Sequence, residues 1–249
     1  MTILQELLKE LRLAAILANY QRIAKNDVEK IGYLQDLASI EVARRREGSV
    51  RARIAAARFP VVKTIDTFDF SAQSDLPKLK ILEILDCQFI ADRRNVVFLG
   101  PPGVGKTHLA TAIGVAACTR GYRVAFMTAA DLLMTLMAEK REHRLKQRMK
   151  LLDRLDLLII DELGYIPFDR EATDLLFQVI SHRYELRSLI LTTNLDFPEW
   201  TSVFPDAGAA SAVVDRIVHH ASVFELNGSS YRLATKKSSS ASGKRAKSP

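Results

Sequence analysis

The residues Gly100 to Thr107, Gly-Pro-Pro-Gly-Val-Gly-Lys-Thr, have the spacing of a phosphate-binding loop. They lie directly after the apolar run NVVFLG and directly before the helix-like run THLATAIGVAACTRG. Glycines there let main-chain amides turn toward a phosphate chain with no side chain in the way, and the helix N-terminus adds positive potential. Lys106 is placed to reach β- and γ-phosphates, and the Thr107 hydroxyl to ligate Mg²⁺. A plain Gly- and Pro-rich turn is the competing reading; the strand before it and the helix after it favour phosphate binding. Asp161 and Glu162 close a second apolar run, LLIIDE. A carboxylate at such a strand tip can hold a metal's hydration shell, and its neighbour can orient and deprotonate an attacking water. Strand-end solvation is the alternative for that pair. A third run, SLILTTN, ends in Thr192, Thr193 and Asn194. Asn194 could hydrogen-bond a γ-phosphate or the water, or serve as a turn residue. The stretch Thr193-Asn194-Leu195-Asp196 lacks the lysine of a guanine-reading motif, which favours ATP over GTP.

These runs alternate with helical patterns. Strands are expected at Asn95–Gly100, Tyr122–Thr128, Asp156–Glu162 and Ser188–Asn194, with helices over KLKILEILDCQFI, Thr107–Gly121, ADLLMTLMAEK and EATDLLFQVISHRYE. Near-continuous apolar strands separated by helices imply an α/β fold with a parallel sheet covered on both faces. Its chemistry belongs at the carboxyl ends of the strands. Residues 1–58 differ in character. Leu4, Leu7, Leu8 and Leu11 recur at helical spacing, and Thr2 with Gln5 fits a capping box. The expected organisation is a helical N-terminal domain (1–58), an extended connector (59–77), the α/β domain (78–235) and a Ser- and Lys-rich disordered tail (236–249).

At 249 residues, 48% hydrophobic and 26% charged, wholesale disorder is excluded. The charged N-terminal run MTILQELLKELR is no signal peptide, and no apolar run is long enough to span a bilayer, so a cytoplasmic protein with no membrane partner is expected. Cys87 and Cys118 are too few for a disulfide framework or a zinc site. The net charge of +7 favours a polyanionic partner. It concentrates in RRREGSVRARIAAAR, with Arg44, Arg45, Arg46, Arg51, Arg53 and Arg58, and in KREHRLKQRMK, with Lys140, Arg141, Arg144, Lys146 and Arg148. Either stretch could be a solvated face or contact a phosphate backbone. No aromatic residues interleave with the second, so backbone contact is more credible than base stacking. The adjacent His219 and His220 have no third ligand spaced nearby and read as structural or capping residues. Trp200 reads as an anchor in a loop or core.

Taken together, GPPGVGKT, LLIIDELGYIP, LILTTNLDFPEW and VVDRIVHHASVFELNGSSYRL resemble the IstB-like ATP-binding proteins, the AAA+ ATPase helpers of insertion-sequence transposition, and secondarily the DnaC helicase loaders. The resemblance implies an AAA+ P-loop core without a C-terminal helical lid. It implies a slow ATPase using ATP and Mg²⁺, assembled as an ATP-bridged homo-oligomer on duplex DNA, that recruits a transposase. Carried onto this sequence, the nucleotide contacts are Gly100, Pro101, Pro102, Gly103, Val104, Gly105, Lys106, Thr107 and His108. Thr107 and Asp161 serve the metal, Glu162 the water, Asn194 is a polar sensor, and Arg216 is a trans-acting arginine finger with Arg232 a weaker candidate. An intrachain ion pair with Asp215 is the rival for Arg216. Three other functions share such a core: a helicase loader holding single-stranded DNA, a small-molecule kinase, and a nucleotide-gated scaffold without catalysis. The adjacent acid pair and the lack of an obvious acceptor-binding segment argue against the kinase.

Overall fold

The computed structural model describes residues 2–25, 27–165, 167–205 and 207–228. Arg232 and the expected tail at 236–249 lie outside them. The chain divides into two compact units, Met1–Ala52 and Arg53–Pro249.

In the first unit, α1 (Ile3–Glu10), α2 (Ala14–Ala24) and the first part of α3 (Val28–Ala57) enclose Leu4, Leu8, Leu11, Tyr20, Ala38 and Val42. The leucines sit one helical turn apart, so one face of α1 is buried. The capping box forms: the Thr2 hydroxyl accepts from Gln5 N–H and the Gln5 side chain from Thr2 N–H.

The second unit is a five-stranded, wholly parallel sheet in the order β2-β3-β4-β1-β5. Its elements are α4 (Lys78–Ile84), α5 (Gln88–Ala91), β1 (Asn95–Leu99), α6 (Lys106–Thr119), β2 (Val124–Thr128), α7 (Ala129–Arg141), α8 (Leu145–Asp153), β3 (Leu157–Leu163), α9 (Arg170–Arg183), β4 (Ser188–Thr193), α10 (Ala207–Val218) and β5 (Ala221–Glu225). Successive strand residues point to opposite faces, and the apolar runs therefore feed two cores. Val97, Leu99, Leu158, Ile160, Leu189 and Leu191 pack with α7, α9 and α10. Val96, Phe98, Leu157, Ile159 and Ile190 pack with Leu109, Ile113 and Ala117 of α6. Trp200 is buried in the first of these cores, its indole N–H donating to Leu195 O at 3.3 Å.

Three features depart from the sequence reading. The helix expected over residues 78–90 is broken at Cys87, whose φ of 58° is left-handed. The basic run 140–150 is likewise two helices, because His143 has φ 57°. β5 was not expected; it pairs with β1 from Asn95↔Ala221 to Leu99↔Glu225. Both cysteines are buried, and burial pushes each thiol up to about 11, which keeps them protonated and unreactive at neutral pH. Among the described residues, no helix is long and apolar enough to cross a membrane.

Arg183, at the end of α9, is 1% exposed. Its guanidinium donates to the carbonyls of Leu152 (2.8 Å), Ser188 (2.9 Å), Leu155 (3.2 Å) and Asp156 (3.5 Å). It thereby ties the end of α8 and the turn into β3 to the start of β4. Burial lowers its pKa to about 10, so it stays charged at neutral pH. Replacing Arg183 by Leu removes these buried donors, although Leu152 O still accepts from Leu155 N–H and Asp156 O from Ser188 N–H, and is expected to reduce unfolding free energy by about 2–4 kcal/mol. Urea denaturation of the two proteins checks this.

Candidate functional site

β1 delivers the chain to Gly100 at the carboxyl edge of the sheet, and α6 starts at Lys106. Between them Gly100, Gly103 and Gly105 have φ of 138°, 86° and 103°, backbone that L side chains rarely adopt. Space is equally restrictive. A Cβ on Gly100 would lie 2.2 Å from Leu226 O, and one on Gly105 2.7 Å from the Phe68 ring. Lys106 Nζ donates to Gly100 O and to Pro101 O, the latter at 2.8 Å. Thr107 Oγ1 donates to the Asp161 carboxylate at 3.0 and 3.1 Å. The sequence places these two residues far apart; the sheet brings them together because β3 and β1 end at the same edge.

A register shift separates Ile160↔Leu191 from Leu163↔Thr193, so Asp161 and Glu162 of β3 oppose Thr192 of β4. Such a bulge re-aims side chains and leaves main-chain groups outside the ladder. Thr192 repairs the disruption with its hydroxyl, which donates to Asp161 Oδ1 and accepts from Glu162 N–H at 3.0 Å. Asp161 is thereby held buried, 4% exposed, while Glu162, at φ 60°, turns outward into the cleft. Thr192 is the residue the sequence reading undervalued. The polar end of the run SLILTTN was the available signal; its place opposite the acid pair comes from the β3–β4 register.

The cleft has a volume of about 460 Å³, within the range of small-molecule sites. One wall is the loop and α6 from Pro102 to His108, with Glu162, Thr192, Thr193 and Asn194 beside it. The other wall comes from residues expected to be a connector: Pro60, Val61, Lys63, Thr67, Phe68, Asp69, Ala72 and Gln73. His108 fastens the two walls. Its Nε2 lies 3.0 Å from Thr64 O and 3.2 Å from Thr67 Oγ1, and its ring meets Phe68 edge-on at 5.3 Å. Fit to a hard cation is good at one point, where the Thr107 hydroxyl and Asp161 carboxylate offer neighbouring oxygens.

Arg216 is not among the residues lining this cleft. It donates to Ala212 O at 2.9 Å and lies over the Phe177 ring at 4.6 Å. Among the described residues it forms no ion pair, so the rival pairing with Asp215 is absent there. Of the basic residues, Arg44 and Arg45 pair with Glu41, and Arg46 with Glu10. Lys140 pairs with Glu171, Arg144 with Glu139 and Glu142, and Arg148 with Glu139. Arg51, Arg141 and Lys146 are exposed and Arg53 half-buried. At the opposite edge of the sheet the fold supplies what sequence spacing did not: Glu185 joins His219 and His220, their donor atoms all within 4.8 Å. His219 Nδ1 is also 2.7 Å from the Tyr184 hydroxyl.

Known proteins resemble this chain in sequence and fold. The chain matches the family of IstB-like ATP binding proteins over residues 4–239. It is 43% identical, over 84% of its own length and 83% of the relative's, to the protein assigned as the ATP-binding protein of insertion sequence IS232 in Bacillus thuringiensis subsp. berliner. Identity to the corresponding protein of insertion sequence IS5376 in Geobacillus stearothermophilus is 42%, with 82% of each chain covered. Among solved structures, the DnaC helicase loader superposes with a TM-score of 0.56 at 25% identity, covering 69% of this chain and 99% of that one. AMPPCP-bound DnaA from Aquifex aeolicus gives 0.57 at 21% identity, covering 68% and 51%. The glycine loop after β1, the acid pair at the end of β3 and the match across nearly the whole chain agree: this chain belongs to the IstB-like ATP-binding protein family, with an AAA+ P-loop core.

Proposed function

We propose that the chain is an ATP-switched helper of insertion-sequence transposition, which assembles on duplex DNA as an ATP-bridged oligomer and recruits a transposase. The observation that carries this reading is the juxtaposition of Thr107, Asp161, Thr192 and Glu162 at the end of the glycine loop. In this reading the loop amides from Gly103 to Thr107 and the Lys106 ammonium take the phosphates. Thr107 and Asp161 hold Mg²⁺, which neutralises phosphate charge when bound. Glu162 orients a water in line with the γ-phosphate and accepts its proton; the water oxygen bonds to phosphorus, the β–γ bridging bond breaks, and ADP and phosphate leave. Asn194 positions the water or the γ-phosphate. The relatives' insertion-sequence context supports the transposition role.

For DNA contact Arg51, Arg141 and Lys146, exposed and without an ion pair among the described residues, are the stronger candidates. Arg44, Arg45, Arg46, Lys140, Arg144 and Arg148 are held by acids, and Arg53 is half-buried, so each must exchange a partner or emerge to reach phosphate. The helical segment 1–58 serves DNA or the partner. A second reading, a helicase loader acting on single-stranded DNA, is favoured by the match that covers 99% of the DnaC chain.

Fluorescence anisotropy of labelled duplex and single strand, with and without ATP, separates the two readings. Duplex binding that requires ATP and weakens with salt supports the transposition helper; preference for single strand moves the function to helicase loading. Lys106→Ala is expected to abolish nucleotide binding, whereas Glu162→Gln retains ATP, stops phosphate release and prolongs the DNA-bound state. Equal duplex affinity of both variants would overturn nucleotide control.

Thr192→Val removes the bridge between the two acids while keeping shape. Phosphate release is expected to slow by about tenfold or more, with ATP affinity changed by less than about threefold, since the loop itself is intact. Steady-state hydrolysis and equilibrium titration measure the two quantities.

Arg216, outside its own cleft and stacked on Phe177, is suited to reach a neighbouring subunit's γ-phosphate. Arg216→Ala and Lys106→Ala proteins are each expected to be inactive, and their mixture to regain hydrolysis, because each Lys106→Ala subunit lends its arginine to an Arg216→Ala site. A mixture no more active than its components would place the arginine in cis or outside the chemistry.

A further inference from the structure

The amino-terminal edge of the sheet, away from the glycine loop, carries metal-binding side chains that the proposed function does not use. Glu185 lies in the turn between α9 and β4, and His219 and His220 lie in the turn between α10 and β5. One donor atom from each is within 4.8 Å of the others, and this is the one such group of His, Cys, Asp or Glu among the described residues. Adjacent histidines on a helix point apart. However, α10 ends at Val218, and in the turn beyond it the two rings meet with centroids 4.1 Å apart. The backbone that carries the three residues is braced. Asn95, buried at the start of β1, donates through Nδ2 to Ile217 O and accepts at Oδ1 from Leu189 N–H, both at 3.0 Å. Its main-chain N–H donates to His220 O at 2.9 Å. One side chain thus ties the end of α10 to the start of β4. Left-handed backbone at φ 57° places Glu185, whose carbonyl accepts from Arg93 at 3.4 Å. The Tyr184 hydroxyl, 2.7 Å from His219 Nδ1, orients that ring.

The donor set says which ion fits. Two imidazole nitrogens and a carboxylate suit zinc and its first-row neighbours, whereas Mg²⁺ and Ca²⁺ take oxygen. In a tetrahedral zinc site, donors about 2.0–2.2 Å from the metal stand roughly 3.3–3.6 Å from one another. His220 Nε2 and Glu185 Oε1 are already 3.5 Å apart, and rotation of the exposed rings closes the remaining gap to His219. As a plain ion pair the His220–Glu185 contact is exposed and worth little, and it gives His219 no reason to join. We propose that Glu185, His219 and His220 bind a divalent cation of the zinc class, with water in the fourth position. The site stands independently of the nucleotide reading. The ion joins the turn after α10 to the turn before β4, and so fixes the end of the helix that carries Arg216.

The test titrates ZnCl₂ into the full chain, carrying no polyhistidine tag, by calorimetry, with excess MgCl₂ present to fill sites built of oxygen alone. The parent is compared with Glu185→Gln, His219→Ala and His220→Ala. All three side chains are exposed, so the variants are expected to keep the fold, and urea denaturation without Zn²⁺ checks that they do. Glu185→Gln removes the charge and keeps the size, which leaves the backbone at that position least disturbed. The parent is expected to bind one Zn²⁺, and each substitution to weaken that binding by about tenfold or more. Zn²⁺ is also expected to raise the thermal unfolding midpoint of the parent by more than that of any variant, because a ligand of the folded state stabilises it by mass action. A parent that binds no Zn²⁺ overturns the assignment. Variants that bind Zn²⁺ as tightly as the parent place the ion elsewhere and overturn it equally. Neither result bears on ATP binding at the glycine loop.

Discussion

The Thr192 hydroxyl is the interaction on which the site's geometry turns. A bulge in β3 sets two residues against one and takes the Glu162 N–H out of the regular ladder. A buried amide in that position needs an acceptor. The Thr192 oxygen supplies it, and the same hydroxyl's proton goes to Asp161. One small side chain therefore fixes the two acids in opposite directions: Asp161 inward to Thr107, Glu162 outward to the cleft. The left-handed backbone at Glu162 costs roughly 1–3 kcal/mol. It is held by the burial of the flanking Ile160 and Leu163 and by the hydrogen bond from Glu162 N–H to Thr192.

That local device only works at the edge of a parallel sheet. Parallel strands ending together place β1, β3 and β4 side by side, so the glycine loop, the acid pair and the Thr192–Asn194 turn converge although they are distant in sequence. The two cores hold the strands in register from both faces, and residues such as Val97 and Phe98, consecutive in β1, belong to different cores. A slip of one residue would exchange them and is strongly resisted.

Elements whose cause is local were legible in the sequence. The four continuous apolar runs became β1 to β4, and the glycine spacing became a loop whose positive φ values need glycine. β5 escaped because it is an edge strand with a mostly exposed or half-buried surface, so Ala221–Glu225 carries neither a long apolar run nor clean alternation. The connector escaped for a different reason. Phe68 and His108 contact each other across about forty intervening residues, and nothing in the local spacing of Ile65, Phe68 and Phe70 announces the loop they cover. The basic runs were legible as charge but only partly as paired charge: Arg44 and Arg45 pair with nearby Glu41 and Arg144 with Glu142, whereas Arg46 and Lys140 find Glu10 of α1 and Glu171 of α9 only in the fold.

The same hydrogen-bond accounting bears on what gives a ligand its affinity. Lys106 already donates to Gly100 O and Pro101 O, and Thr107 to Asp161. A phosphate or cation that takes over these groups exchanges one set of polar contacts for another, and such exchanges return little net free energy, about 0.5–1.5 kcal/mol each. In the proposed nucleotide reading, charge-assisted contacts to the loop amides and burial of apolar surface against Pro60, Val61, Phe68 and Ala72 add to these exchanges. The glycine loop has the geometry for phosphate, and residues 60–73, although irregular, supply the opposite wall of the same cleft.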